Sequence, residues 1–185
     1  NVPAGQADPG TCAAPNACDG AGVCKKANGE PCAAGEECGS SFCIDGYCCN
    51  NACSTACTAC NLAGSFGTCG NIAAGGTDNF PANACIAPNA CDGAGTCKKA
   101  NGQPCGAPSE CFSGFCVDGF CCNSACSADC QSCNLTGQQG SCANVPAGFA
   151  DGACSGASAC DGGGTCKKLN GQVCLAAGEC VSGWC

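Results

Sequence analysis

Twelve cysteines of this chain recur at a fixed offset. Cys12, Cys18, Cys24, Cys32, Cys38, Cys43, Cys48, Cys49, Cys53, Cys57, Cys60 and Cys69 reappear 73 positions later as Cys85, Cys91, Cys97, Cys105, Cys111, Cys116, Cys121, Cys122, Cys126, Cys130, Cys133 and Cys142. The first six of the second group reappear again 69 positions on, as Cys154, Cys160, Cys166, Cys174, Cys180 and Cys185. A period of this length in cysteine positions reads as a tandem array of disulfide-stapled units. Two units are complete, 1–70 and 71–143, and a third, 144–185, is partial. All 30 cysteines are disulfide candidates; nearly all are expected in bridges, about fifteen of them, which are expected to stay within units and mostly within each six-cysteine half.

The expectation rests on what else the chain lacks. Of 185 residues only 20 are Val, Ile, Leu or Phe, well short of the roughly 20% of a chain that normally supports a packed apolar core. A net charge of -8 is too modest for a solvated, self-repelling tail. Cross-links therefore have to supply stability, each contributing about 2–4 kcal/mol, and such bonds persist in oxidising surroundings. The expected location is extracellular or on a cell surface. No run of 18 apolar residues suggests membrane insertion. With no Met and no basic, apolar leader, and with Asn1-Val2-Pro3-Ala4-Gly5 in phase with Asn71 and Asn144, the chain reads as a mature or trimmed part of a longer array.

Within each unit the first cysteine set spans Cys12 to Cys43 and the second Cys48 to Cys69. The six cysteines of the third unit could close on themselves in any of fifteen pairings. Adjacent Cys48-Cys49 and Cys121-Cys122 should tie their strand to two different neighbours, because successive side chains of an extended segment point to opposite faces. Asp19-Gly20, Asn28-Gly29 and Asp45-Gly46, with their repeats, mark three turns per unit. The expected fold is small and disulfide-rich: an elongated tandem repeat of short β-hairpins and loops, with strands of about three to five residues. Only the second set, from Cys49 to Cys60, has spacing that suits a short helical turn. The copies differ in length only between Cys69 and Cys85 and between Cys142 and Cys154, which marks an exposed connector and puts unit boundaries near Asn71 and Asn144.

Candidate chemistry is sparse. There is no His and no Arg, so no Cys-His or Ser-His arrangement exists, and oxidised cysteine is no nucleophile. Glu36-Glu37, the adjacent carboxylate pair, becomes Ser109-Glu110 and Gly178-Glu179 in the other copies, so a two-carboxylate hydrolase site is poorly supported. The chain is expected not to be an enzyme. Its six lysines occur only as Lys25-Lys26, Lys98-Lys99 and Lys167-Lys168, isolated pairs on an acidic chain that give no footprint for nucleic acid. Cys57-x-x-Cys60 and Cys130-x-x-Cys133 have metal-ligand spacing but lack a second pair to complete a tetrahedron. No cofactor is expected; the weak exception is calcium at the turn residues Asp19 and Asp45, which lack the spaced acidic series of a calcium loop. The repeated aromatics Phe42, Phe115 and Trp184, with Tyr47 and Phe120, either cover disulfides or form contacts to a neighbouring unit or subunit. Asn134-Leu135-Thr136 is an N-glycosylation sequon.

The run from Cys111 to Cys126, followed by Cys130-Gln-Ser-Cys133, Val145-Pro-Ala-Gly148 and the C-D-G-A-G-x-C-K-K stretch, resembles cysteine-rich tandem repeats of large secreted proteins of myxobacteria and related bacteria. The C-x-D-G-x-C-C piece is more loosely similar to Dickkopf-type and EGF-like modules. The resemblance implies a small extracellular disulfide fold and assigns no ligand. Between Cys12–Cys69 and Cys85–Cys142, 39 of 58 positions are identical, a level that also keeps surface residues and suits near-equivalent contacts along an axis. The expected function is a secreted structural protein that self-associates into a filament or stalk, or continues as a longer array. The alternative is a multivalent, adhesin-like module binding carbohydrate or protein.

Overall fold

A computed structural model describes the whole chain except residues 1, 5, 9, 81–84 and 153. Its compact units are Asn1–Lys98 and Lys99–Cys185, each made of hairpins and loops. In the first lie β1 (Asn16–Cys18), β2 (Cys24–Lys26), β3 (Cys43–Ile44), β4 (Tyr47–Cys48), β5 (Thr58–Ala59), β6 (Gly70–Asn71) and β7 (Asn89–Cys91), followed by β8 (Cys97–Lys99) at its end. The second holds β9 (Cys116–Val117), β10 (Phe120–Cys121), β11 (Gln131–Ser132), β12 (Ala143–Asn144), β13 (Ser158–Cys160) and β14 (Cys166–Lys168). Among the described residues these form seven two-stranded antiparallel sheets. Six strands of three residues meet the expected three to five, and eight of two residues fall below it, because turn residues interrupt the chain so often.

The turn chemistry explains the hairpins. β3 and β4 are joined by Asp45 and Gly46, at φ 54° and 80°, and pair Cys43 with Cys48 and Ile44 with Tyr47. Two residues of positive φ make the tight connection whose twist suits flanking strands, and Asp118-Gly119 repeats it between β9 and β10. In the β1–β2 loop the Asp19 carboxylate accepts the amides of Ala21 at 2.8 Å and Val23 at 3.0 Å. Asp92 and Asp161 do the same in their loops. These Asx bonds close each loop from inside.

Short 3-10 turns occur at Gly35–Glu37, Pro108–Glu110 and Ala177–Glu179, all in the first cysteine set. The expected helical turn between Cys49 and Cys60 does not form. Cys53 and Cys57 have φ of 41° and 60°, and Cys126 and Cys130 have 49° and 57°; residues in the left-handed region cannot share a right-handed helical turn.

Every side chain among the largest fully buried ones is a cysteine. Sulfur fills the interior, with Ile44 against Cys49, Cys53 and Cys60 in the first unit and Val145 against Cys130, Cys154 and Cys160 in the second. Glycine permits one close approach that a side chain would block. A Cβ on Gly67, at φ 80°, would collide with the backbone of Asn28 and Gly29, whereas one on Gly64, at φ 83°, would meet nothing. Gly67→Ala is therefore expected to lower stability well beyond Gly64→Ala, by more than the ~1–2 kcal/mol that left-handed φ alone costs. Denaturant midpoints of the two variants measure the difference, and equal losses would refute the close approach.

The length difference between copies is absorbed at one place. Asp8, Asp78 and Asp151 each pair across an isolated bridge with Cys12, Cys85 and Cys154, and these bridges enclose loops of different length. Parts of those loops lie outside the described residues.

Candidate functional site

Fourteen disulfides form, one fewer than thirty bridged cysteines would give. Each complete repeat carries the same five internal bonds: Cys12–Cys24, Cys32–Cys43, Cys38–Cys48, Cys49–Cys60 and Cys53–Cys69 in the first, and Cys85–Cys97, Cys105–Cys116, Cys111–Cys121, Cys122–Cys133 and Cys126–Cys142 in the second. In the third repeat Cys154 pairs with Cys166 and Cys174 with Cys185. The adjacent cysteines part as expected, Cys48 to Cys38 and Cys49 to Cys60.

Two expectations need correction. Bridges do not all stay within units: Cys57 bonds Cys91 and Cys130 bonds Cys160, each joining the second set of one repeat to the first set of the next. Most bonds do lie within a six-cysteine half, as expected; Cys38–Cys48 and Cys111–Cys121 connect first set to second within a repeat. Finally, Cys18 and Cys180 are free and buried. Cysteines that face each other across a hairpin, such as Cys18 and Cys24 or Cys43 and Cys48, bond elsewhere: Cys24 to Cys12, Cys43 to Cys32 and Cys48 to Cys38, while the cysteines that end β7 and β13 reach the preceding repeat. Cys18 occupies that position in repeat 1, and Cys180 is the counterpart of Cys38 and Cys111, which take a cysteine ten residues on.

The junction between repeats is the recurrent constellation of the chain. Cys57 and Cys91 pack with Cys85, and Ile72 and Cys97 lie against them. Backbone bonds fix the approach: Ile72 N–H donates to the Cys57 carbonyl at 2.9 Å, and Cys91 N–H to the Gly76 carbonyl at 2.8 Å. The Cys57 N–H donates to Asp78 Oδ2 at 2.7 Å, and Asp78 is 2% exposed. A buried carboxylate that takes backbone amides is satisfied without a cation, since Phe80 N–H donates to its other oxygen at 2.9 Å. At the second junction Val145 N–H donates to the Cys130 carbonyl at 2.9 Å, and Cys160 N–H to the Phe149 carbonyl at 2.8 Å.

Each junction opens a crevice beside it. One of about 300 Å³ is lined by Asn61, Leu62, Ile72 and Asp78; one of about 480 Å³ is lined by Asn134, Leu135, Val145 and Asp151, the same positions one repeat later. Asn134 of the sequon is exposed on that rim.

The other residues singled out by the sequence divide among structural roles. Asp45 accepts the Cys60 amide at 2.8 Å, and Asp118 accepts the Cys133 amide at 2.9 Å and the Ser132 hydroxyl at 2.8 Å. Cys57 and Cys60, spaced like metal ligands, point into different disulfides. The sulfur triads Cys57/Cys85/Cys91 and Cys130/Cys154/Cys160 are stacked disulfides. Tyr47 packs on Phe66 with ring centroids 4.9 Å apart, and Phe120 holds the matching strand position in repeat 2. Phe42 and Phe115 are 37% and 38% exposed, and Trp184 83%.

The lysine pairs are engaged in ion pairs within each repeat. In each copy the first lysine meets the loop aspartate, Lys25 with Asp19 at 3.8 Å and Lys98 with Asp92 and Lys167 with Asp161 at 3.2 Å. The second reaches across the next turn: Lys26 bonds Glu37 and the Pro31 carbonyl, Lys99 bonds Glu110 and the Pro104 carbonyl, and Lys168 bonds Glu179 at 2.6 Å and the Val173 carbonyl at 3.0 Å. Glu37 is thus the retained half of Glu36-Glu37, and its signal was the lysine and glutamate eleven residues apart in all three copies. The Lys26 ammonium, helped by the Ala33 amide, holds the Glu37 carboxyl below its ordinary range; Lys99 and Lys168 do so for Glu110 and Glu179. In Asp19 the amides of Val23 and Ala21 lower the carboxyl. A carboxyl depressed in the folded state stabilises above its unfolded value and loses that contribution as pH falls through the folded one. Stability is therefore expected to drop as pH falls below about 4, and the triple variant Glu37→Gln/Glu110→Gln/Glu179→Gln should show a flatter acid limb. Denaturant midpoints between pH 6 and 2 test this; an unchanged slope would refute it.

Compared with known proteins, the chain matches no family model, no curated protein and no solved structure.

Proposed function

We propose that this chain is a structural segment of a secreted, surface-displayed or filamentous array, in which successive repeats are welded end to end. The observation that carries the reading is the pair of junction disulfides, Cys57–Cys91 and Cys130–Cys160. Each of these bonds ties the second cysteine set of one repeat to the first set of the next, so every junction between repeats is covalently cross-linked. The four-residue length difference between copies falls inside the loop this bond closes, 34 residues at the first junction and 30 at the second, and the bond forms at both, as suits an array in which each unit touches mainly its neighbours. The dense disulfides support an oxidising location outside the cytosol, and no described helix is long and apolar enough to cross a membrane. The sequence resemblance to bacterial secreted repeats agrees with this reading. The exposed ring of Trp184, and those of Phe42 and Phe115, are the candidate contacts between subunits.

Electron microscopy of concentrated protein with disulfides intact tests the proposal. Extended fibres are expected, and Trp184→Ser should shorten or abolish them; only dispersed monomers, by microscopy and scattering, would overturn it. A second reading, a multivalent binding module, is favoured by the crevice that recurs at both junctions with Asn, Leu and Asp at matching positions. Saturable binding of a glycan, weakened by Asn61→Ala with Asn134→Ala, would support it over the fibre.

A further inference from the structure

Cys18 stands where Cys91 and Cys160 stand. Each of the three ends the first strand of its hairpin and is buried at 4% exposure or less; Cys18 and Cys160 face Cys24 and Cys166 across it, and the strand of Cys91 pairs with the one that begins at Cys97. Each also donates its amide to a carbonyl of the segment that leads into its repeat: Gln6 for Cys18, Gly76 for Cys91 and Phe149 for Cys160, all at 2.8 Å. The flanking disulfide is the same, Cys12–Cys24 matching Cys85–Cys97 and Cys154–Cys166. What differs is the sulfur. Cys91 and Cys160 hold Cys57 and Cys130 of the preceding repeat, while Cys18 is a free thiol.

The carboxylate at this position differs between the repeats. Asp78 takes the Cys57 amide of the preceding repeat on Oδ2 and is 2% exposed. Asp8, at the same position, is only half-buried, and its Oδ2 accepts the hydroxyl of its own Thr11 at 2.6 Å. Asp151, at the bonded Cys130–Cys160 junction, is likewise half-buried, so it is the sulfur and the backbone placement of Cys18, and not the carboxylate, that mark the receiving half in repeat 1.

We propose that Cys18 is the acceptor of a third junction disulfide, made with the Cys57-type cysteine of a further repeat joined in the same polypeptide ahead of residue 1. The partner is defined by its chemistry: a second cysteine set of the C-C-x3-C-x3-C-x2-C-x8-C pattern in which the cysteine before x2-C is a free thiol. A second copy of this chain does not offer one, since Cys57 and Cys130 are already bonded. A covalent lead-in is favoured because at both observed junctions the donor cysteine's carbonyl takes the amide of Ile72 or Val145, in the segment that continues directly into the receiving half. The bond forms as the two thiols give up two protons and two electrons to a low-molecular-weight disulfide, which leaves as two thiols. This assignment holds whether or not the array forms filaments.

The test adds a second copy of residues 49–70 immediately before residue 1 and refolds the protein in a glutathione redox buffer. Without the junction the product carries three thiols, on Cys18, Cys180 and the added Cys57 copy; with it, one, on Cys180. One thiol is expected, together with a mapped bond from the added cysteine to Cys18. Three thiols, or a map that joins Cys18 to Cys180 or to a second Cys18, would overturn the proposal. Cys18→Ser in the same protein should leave two thiols and every other bond intact, which separates a lost junction from a failure to fold. Supplied as a separate peptide at micromolar concentration, residues 49–70 should capture Cys18 at least 100-fold more slowly, because a joined partner acts at about millimolar effective concentration; equal capture would overturn the in-chain assignment.

Discussion

Reduction with excess dithiothreitol is expected to unfold this chain outright, and EDTA to leave it unchanged. Its fourteen disulfides each contribute about 2–4 kcal/mol by restricting the unfolded chain, and nothing else replaces that sum: the hairpins are two or three residues per strand, and isolated hairpins of that size are marginal in water. The apolar interior disappears with the bonds, because it consists of the bonded sulfurs. Small-angle scattering should report a coil with a radius of gyration of about 46 Å, the value for an unfolded chain of this length. Amide chemical-shift dispersion should collapse at the same reductant concentration. A reduced chain that stays compact, or one that loses its fold on chelation, would contradict this account and turn attention to the sulfur triads as metal sites.

The second large effect belongs to the junction. The loop closed by Cys57–Cys91 spans 34 residues, against 10 for Cys38–Cys48. On the chain-entropy estimate the longer loop is worth about 3.7 kcal/mol and the shorter about 2.7 kcal/mol. Cys57→Ala/Cys91→Ala is expected to cost the larger amount and to act locally as well. With the tether gone, the Ile72 and Cys57 amides should exchange faster by orders of magnitude while the Asp45-Gly46 hairpin keeps its protection. Cys38→Ala/Cys48→Ala should cost less and loosen only its own turn. Chemical denaturation with residue-resolved hydrogen exchange measures both; equal costs and uniform loss of protection would mean that the repeats are not coupled through this bond.

What could be read from residue order alone was whatever depends on neighbours in sequence. Asp45-Gly46 demands its two-residue hairpin wherever it stands, and Cys48 beside Cys49 must point to opposite faces. The pairing of Cys57 was not legible in this way, because the sulfur that reaches it lies 34 residues on and is brought there by the Ile72 and Gly76 backbone bonds. The same holds for Asp78, which lies in no hairpin signal and matters only once the second set folds over it. Misplacing the helical turn had a different cause. Spacings of three and four suited a helix between Cys49 and Cys60, yet Cys53 and Cys57 are turned into left-handed φ by bridges that leave in different directions, to Cys69 and Cys91. Lys26 and Glu37 were legible as repeats and unreadable as partners, since the strut they form depends on the 3-10 turn that lifts Glu37.

The map of bonds also sorts proteases by what their cuts can accomplish. Every peptide bond from Cys57 to Cys91, or from Cys130 to Cys160, lies inside a closed loop, so a cut there nicks the chain and releases nothing. All six lysines stand in the stretches between Cys24 and Cys32, Cys97 and Cys105, and Cys166 and Cys174, which no disulfide spans. An enzyme specific for lysine therefore severs wherever it cuts, and its products are cross-linked blocks that begin and end inside repeats and carry each junction whole.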